Sequence, residues 1–255
     1  MTTDNLGDWR IEFITTIEQD VSPTMAGGTQ FRSGDRAYVS TLTKTSKGDL
    51  IAFTTPNVSA LAYNIAVSSA RRAIELKKQL SYISCLSPFG TARAIGFDQN
   101  DLIFSFFESS MTSVIFSFQV LEAFCNYSIS HNWRQPVDIT RRRKKERLDH
   151  ESAERELSTE QKLKSVLPKI YDVPTPAGKS IWDRFIKLKH ARDSCVHIKY
   201  FDQHPVGRKV DQESLFFRFL DTDTMFFPKT SLEIVAYFYS RQELPRWLRE
   251  MPTET

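Results

Sequence analysis

One long amphipathic segment, between residues 101 and 130, constrains the fold more than any other feature. Its apolar side chains recur at alternating steps of four and three residues, which is the spacing of a helix face packed on a core. The repeat consists of Phe107, Met111, Val114, Phe118, Leu121 and Cys125. Such a stripe needs other elements to cover it. We therefore expect a helical domain built around residues 101–130.

A second face of the same segment is polar. Four side chains lie within about 40° of Glu108 on a helical projection. They are Thr112, Gln119, Glu122 and Asn126, and Ile115 interrupts the row. The row is either the solvent side of the helix or one wall of a polar cleft. Glu122 and Asn126, one turn apart, are candidate cleft-lining residues, and an ordinary exposed face is the alternative.

The same segment raises the question of a membrane. Residues 102–129 are long enough to cross a bilayer, but Glu108, Glu122 and Asn126 would be costly in lipid. Apolar residues make up 40% of the chain and charged residues 25%, which is typical of a soluble globular protein. The N-terminus lacks the pattern of a signal peptide. We expect a cytoplasmic protein that does not use a membrane.

The cysteines argue against two classes of site. There are three of them, Cys85, Cys125 and Cys195, with no CxxC spacing. An odd number without paired spacing gives poor support to a zinc site or a disulfide framework, and it fits a reducing compartment. We expect no metal and no cofactor.

Other segments predict a β-rich start followed by helices. Residues 9–17, 36–43 and 50–53 are rich in β-branched and aromatic residues, and the last two flank the turn-like SKGD to give a hairpin. The pattern becomes helical after Pro56. The predicted fold is mainly α, a helical bundle with a small β-rich N-terminal part, hence α+β overall. Residues 1–55 form the predicted β-rich module and 56–255 the helical domain.

Finer predictions follow from capping and turn chemistry. Ser158 with Gln161, and Thr230 with Glu233, have the spacing of capping boxes that open helices. Residues 85–101 contain Pro88, Gly90 and Gly96, which are typical of a loop or irregular segment. The run SLFFRFLDTDTMFFP, residues 214–228, predicts two short strands around DTDT.

Residues 141–147, RRRKKER, place six cations in seven positions. The net charge of the chain is only +3, so nucleic-acid binding would need a local basic patch of this kind. Such a run is usually a solvated connector. The alternative is contact with an RNA backbone. The candidates for that contact are Arg141, Arg142, Arg143, Lys144 and Lys145.

The segment KHARDSCVHIK, residues 189–199, contains the candidate catalytic residues. Arg192 is permanently charged and offers planar, forked donors that match phosphate oxygens. A histidine such as His197 can transfer protons near neutral pH. Together they could bind and cleave a phosphodiester. The structural alternative is an ion pair of Arg192 with Glu122 or Glu108.

Helical geometry separates these two side chains. Positions five apart differ by about 140° around a regular helix, so one uninterrupted helix cannot aim both at one phosphate. Asp193 precedes His197 by one turn and could orient the imidazole and favour its charged form. Cys195 fits a small core residue, and His190 fits the rim of the helix.

The order of these motifs resembles the HEPN superfamily. LEAFCN lies in the long helix, LSTEQKLKSVLPKIY follows the basic run, and W-x-x-F-x-x-L-x-x-A-R-D-S-C-V-H ends the pattern. The resemblance covers residues 100–245. It implies an all-helical HEPN-like domain and a metal-independent endoribonuclease with an Arg-x4-His motif at Arg192 and His197. Asp193 stands where the family most often has Asn.

The resemblance also implies an oligomeric state, a biological role and a class of partner. HEPN ribonucleases place two motifs in a dimer cleft, so the implied active form is a homodimer with a composite site acting on RNA. Family members occur as toxins or anti-phage defence effectors, with a nucleotidyltransferase-like antitoxin or a defence NTPase as partner. The alternative is a non-catalytic HEPN dimerisation or adaptor module. A helical DNA- or RNA-binding protein using RRRKKER is a third reading, although no helix-turn-helix or stacking motif supports it.

Overall fold

The computed structural model describes residues 8–16, 19–20, 32–34, 36–87, 90–133, 136–141, 144–200 and 214–252. The chain forms two compact units. One comprises the residues up to Leu61 together with those from Leu244 onward, and the other comprises Ala62–Glu243.

The described strands form two-stranded antiparallel sheets. They are β1 (Phe13–Thr16) with β2 (Arg36–Tyr38), β3 (Ser40–Lys44) with β4 (Leu50–Thr54), β5 (Ile83–Ser87) with β6 (Gly90–Ala94), and β7 (Val137–Arg141) with β8 (Lys144–Leu148).

The described helices make up most of the remaining structure. In chain order they are α1 (Val58–Gln79), a 3₁₀ turn (Phe97–Gln99), α2 (Asn100–Asn132), α3 (His150–Glu156), α4 (Thr159–Gln161), a π-helical turn (Lys162–Val166), α5 (Leu167–Ile170), α6 (Ser180–Val196), α7 (Leu215–Asp221), α8 (Phe226–Phe238) and α9 (Arg246–Glu250). A mainly α protein with small β elements is therefore confirmed.

In the first unit, the predicted hairpin is confirmed as β3 and β4. The amide of Thr45 donates to the carbonyl of Asp49 across the turn. Gly48 has a φ of +94°, a left-handed conformation that glycine adopts without steric cost. Next along the chain, the Asn57 side chain accepts a hydrogen bond from the Ala60 amide at 2.9 Å and so caps the start of α1.

The second unit is organised around α2, as the sequence predicts. Val114, Phe118, Leu121 and Cys125 of the apolar stripe are all buried. α2 lies against α6 and α8 and also contacts α3 and α5. Four aromatic rings pack against one another, with centroids 5.0–6.0 Å apart. They are Phe124 of α2, Tyr171 directly after α5, Phe238 of α8 and Tyr239 directly after α8. Burial of these side chains is the main favourable term in the folding of the unit.

The predicted loop at residues 85–101 is wrong. Ile83–Ser87 and Gly90–Ala94 form a regular hairpin in which Cys85 pairs with Ala92. The glycine that suggested a loop, Gly90, begins β6 with a φ of +113°. Glycine adopts this left-handed conformation without steric cost, so it does not break the strand.

The two strands predicted in residues 214–228 are also wrong, because this stretch forms α7 and the start of α8. The hydroxyl of Ser214 accepts from the amide of Phe217 and caps α7. Leu215 and Phe219, one turn apart, are both buried. Packing of that helical face overrides the β propensity of a phenylalanine-rich run.

The predicted capping box at Thr230 is wrong for a related reason. α8 already begins at Phe226 with a proline in its first turn, so Thr230 lies inside the helix. Its hydroxyl donates to the carbonyl of Phe226 at 2.7 Å. The capping box of Ser158 and Gln161, in contrast, is confirmed at the start of α4.

The stretch Phe97–Asn132 is long and apolar enough to cross a membrane by length and composition alone. Half of its most apolar window is buried inside the protein. The core helix of a soluble protein has the same properties, so this is weak evidence for a membrane span.

Candidate functional site

α6 positions the Arg-x4-His motif. Its buried face consists of Phe185, Leu188 and Cys195, which fix the helix against the core. The helix ends at Val196, whereas the pattern of SIWDRFIKLKHARDSCVHIK predicts a helix that continues to residue 199. His197 has φ −118° and ψ 63°, outside the helical region, while its amide still donates to the carbonyl of Asp193 at 2.9 Å. The imidazole therefore extends from the C-terminal end of the helix.

Arg192 is held on two sides. Its guanidinium carbon lies 4.0 Å from the centroid of the Phe118 ring on α2. Its Nη1 lies 3.1 Å from Oδ1 of Asp193, and the side chain keeps 26% of its exposed area. A cation over an aromatic face is stabilised by the quadrupole of the ring. The guanidinium is thus in a fixed position while part of it remains open to solvent.

Asp193 behaves differently from the prediction. Its carboxylate forms an ion pair with Arg192, and the structure gives it no hydrogen bond to the imidazole of His197 among the described residues. The neighbouring guanidinium is a stronger partner than an exposed imidazole. The predicted orienting role of Asp193 is therefore not found in this conformation. Nor does Arg192 pair with Glu122 or Glu108, because within the described chain its ion pair is with Asp193.

His197 and His190 are both exposed, and Cys195 between them is buried. Burial raises the pKa of the Cys195 thiol to about 12. A thiol in that state is a poor nucleophile, because the thiolate is the reactive form. The interpretation of Cys195 as a core residue is confirmed.

The polar row of α2 has two different environments. Glu108 near the start of the row is exposed. Further along, Oε1 of Glu122 accepts from the hydroxyl of Thr159 at 3.3 Å, and Oδ1 of Asn126 accepts from Nζ of Lys162 at 2.7 Å. Glu122 and Asn126 are therefore covered by α4 and the π-helical turn. Both side chains are half-buried, and the prediction that they line a cleft stays a prediction.

Lys162 is the residue that sequence patterns did not identify. It is only 6% exposed, and Nζ also donates to the carbonyl of Glu154 at 2.7 Å. Burial lowers the pKa of its ammonium group. A buried lysine with two specific acceptors holds the π-helical turn on α2, since an unpaired charge there would be costly.

The basic run RRRKKER lies on the β7–β8 hairpin and not in an irregular connector. Arg141 pairs with Lys144 at the end of the ladder, and Lys145 is exposed. Arg142 and Arg143 lie outside the described residues, as do the side chains of Arg141 and Lys144. Of the predicted RNA-binding residues, the structure therefore describes the backbone of Arg141, Lys144 and Lys145, which lie in β7 and β8.

The structure also contains a cleft of about 460 Å³ between α6, α7 and α8. Lys187 and His190 of α6 and Arg218 of α7 line it above an apolar floor. The sequence could show that Lys187, His190 and Ala191 share one helix face. It could not show Arg218 opposite them, because residues 214–228 were predicted as strands.

Groups of three or more potential metal ligands do not occur among the described residues. Comparison with family models, with curated proteins and with solved structures finds no match for this chain.

Proposed function

We propose that this chain is a metal-independent endoribonuclease of the HEPN class, acting as a toxin or anti-phage defence effector. The observation that carries the proposal is the end of α6, where a fixed, partly exposed guanidinium is followed by an exposed imidazole at Arg-x4-His spacing. The order of motifs that resembles the HEPN superfamily supports the same reaction. Residues 100–245 would be the ribonuclease domain.

Cleavage of RNA in this way needs three events. The 2′-OH loses a proton and its oxygen attacks phosphorus, negative charge builds on the phosphoryl oxygens, and the leaving 5′-oxygen gains a proton. His197 would serve as the general acid or base for these proton transfers. Arg192 would bind the phosphate and stabilise the charge of the transition state.

Asp193 must release Arg192 for this to occur, and the energies allow it. The pair is partly exposed, with 26% of the arginine and 40% of the aspartate side chain accessible. Such pairs contribute about 0–1 kcal/mol. Hydrogen bonds to a charged group contribute about 1.5–3 kcal/mol each. A phosphate that binds the guanidinium can therefore displace the carboxylate, while the ring of Phe118 keeps Arg192 in place.

The second candidate function is a non-catalytic HEPN dimerisation or adaptor module. The ion pair with Asp193 and the stacking on Phe118 favour it, because both would give Arg192 a structural role. Either function leaves room for a nucleotidyltransferase-like antitoxin or a defence NTPase as partner.

The test is RNA cleavage in the presence of EDTA. The wild-type chain should cleave, and His197→Ala should lose about 10²–10⁴-fold of the activity, the usual contribution of general acid–base catalysis. Arg192→Ala should lose a comparable factor. Arg192→Lys should recover only part of it, because an ammonium keeps the charge but lacks the planar fork.

The matched control is His150→Ala, which removes another exposed histidine, at the start of α3. It should keep its activity. Thermal melting of each variant separates loss of catalysis from loss of the Phe118 contact. If the wild-type chain cuts no RNA, or if His197→Ala cuts as well as wild type, the adaptor function takes its place.

A further inference from the structure

We infer that the cleft between α6, α7 and α8 is a binding site for a nucleoside monophosphate unit. Lys187, His190 and Arg218 would hold its phosphate, and the phenylalanine floor would hold its base. The inference does not depend on RNA cleavage, because it concerns a surface defined by other residues than Arg192 and His197.

Two helices bring the basic groups together. Lys187 and His190 are three residues apart and project from the same face of α6. Arg218 comes from α7, which Leu215 and Phe219 anchor with 1% and 2% exposure. Burial of these two side chains holds α7 in place, and Arg218 lines the cleft. All three basic groups line the same cavity.

Three other basic side chains of α6 differ from these groups, because each of them forms an ion pair with a carboxylate. Arg184 pairs with Glu233, Lys189 with Glu160, and Arg192 with Asp193. Within the described part of the chain, the side chains of Lys187, His190 and Arg218 have no such partner. None of the described side chains that line the cleft is acidic. Two permanent cations and an imidazole gathered without a counter-charge favour the binding of an anion.

The volume of the cleft and its phenylalanine side chains indicate which class of anion it would bind. Its volume of about 460 Å³ lies within the range of small-molecule sites and would not be needed for inorganic phosphate alone. Phe219 and Phe227 are buried in the floor, and Phe226 lies at the rim with its ring at 80° to that of Phe227. Aromatic side chains of this kind bind nucleic-acid bases by stacking.

The basic groups favour a phosphate over a carboxylate. Three basic side chains from two helices line the cleft, and a phosphate monoester offers three terminal oxygens to them. Thr222 also lines the cleft, and its hydroxyl would serve a ribose or a base edge. A flat ring that carries a phosphate satisfies both the phenylalanine side chains and the basic side chains of the lining.

The test is calorimetric titration of the full chain with AMP, adenosine and inorganic phosphate. AMP should bind with a Kd at or below about 1 mM. Adenosine and phosphate should each bind at least about 10-fold more weakly, because each lacks one of the two recognised parts. Arg218→Gln and Lys187→Gln should each weaken AMP binding by about 10-fold or more, as expected for the loss of a charge-assisted hydrogen bond.

The matched control is Arg155→Gln, which removes an exposed arginine from the last turn of α3. It should leave the Kd for AMP unchanged. Lys187 is exposed, so its substitution should not disturb folding, and a melting curve checks this for Arg218→Gln. Equal binding of adenosine and AMP, no binding of AMP, or an unchanged Kd in both cleft variants would overturn the inference.

A nucleotide unit could be free or part of an RNA strand, and one further titration separates these sources. A 2′-O-methyl hexa-adenylate without terminal phosphates cannot be cleaved through its 2′ oxygen. If it displaces AMP, the cleft binds a strand; if it does not, the cleft binds the free nucleotide. Since every readout is binding, failure here leaves the proposed cleavage untouched, and failure of cleavage leaves this site untouched.

Discussion

At the scale of single residues, Arg192 shows what a helical projection can and cannot predict. Arg192 follows Phe185 and Leu188 at helical spacing, which predicts that it lies on the apolar side of α6, and the structure lays it over Phe118. The projection suggested Glu122 or Glu108 as ion-pair partners, and the partner is Asp193, the next residue in the chain. Periodicity predicts which side of a helix a residue occupies. It does not predict which of several carboxylates has the better geometry.

The cysteines provide a prediction at the same scale. At pH 8 in the folded protein, Cys85 should react with a disulfide reagent such as DTNB, while Cys125 and Cys195 should not. Cys85 is partly exposed and the other two are buried. Burial raises the pKa of the Cys195 thiol to about 12 and that of Cys125 further, so the thiolate fraction of both is negligible at pH 8.

Counting the thiols labelled before and after unfolding in guanidinium checks this. One should react quickly in the native state and three after unfolding. The control is Cys85→Ser, which should show no fast labelling. Because the pKa of Cys195 is raised, its protection should persist as pH rises until the solution approaches pH 12 or the protein unfolds. Rapid modification of Cys195 at pH 8 would contradict its burial in the core.

At the scale of elements, a capping box that depends on one helical turn was predicted, and helices that depend on tertiary packing were not. The capping box of Ser158 and Gln161 needs only residues within one helical turn, and it forms as expected. Residues 214–228 have no such local determinant. Their phenylalanines suit a strand by propensity, and they become helical because Leu215 and Phe219 pack into the core.

The Ser158 cap can be measured. Ser158→Ala should lower the free energy of unfolding by about 1 kcal/mol, within a usual range of about 0.5–2 kcal/mol for such caps. The hydroxyl accepts from the amide of Gln161 at 3.3 Å, and the amide of Ser158 donates to the Gln161 side chain at 3.0 Å. Ser158→Asp should keep most of the stability, because aspartate also accepts at this position.

Urea unfolding followed by circular dichroism measures the free energy of unfolding of the wild-type chain and of each variant. Ser165→Ala is the matched control, since Ser165 is exposed and lies inside the helical stretch. It should change stability little, because alanine is at least as good a helix former as serine. Equal losses for both variants would mean that the cap does not stabilise α4.

At the scale of the whole molecule, the helical class and the central role of α2 could be predicted, because a long periodic stripe has few other solutions. The cleft could not. Lys187 and His190 are 28 or more residues from Arg218 along the chain, and only packing brings the two helices together. Arg192 and His197 were identified from their spacing in the sequence, but the early end of α6 at Val196 was not.

The last prediction concerns assembly and depends on the proposed function. Arg192 lies against α2, while His197 projects from the end of α6. Arg192 is fixed over the ring of Phe118 and His197 lies beyond the last helical residue, so we expect that the two side chains of one chain do not readily meet at one phosphate. A two-fold axis near this helix end would bring Arg192 of one subunit to His197 of the other. We therefore predict a homodimer with two composite sites.

Light scattering at micromolar concentration should give twice the monomer mass of 29.5 kDa. Mixing is the sharper experiment. If Arg192→Ala and His197→Ala chains are co-refolded in equal amounts, half of the dimers are mixed, and each mixed dimer keeps one intact site. Activity should therefore return to about a quarter of wild type, although each variant alone is inactive. A fully active monomer would contradict the prediction, as would a mixture that stays inactive while native mass spectrometry shows that mixed dimers have formed.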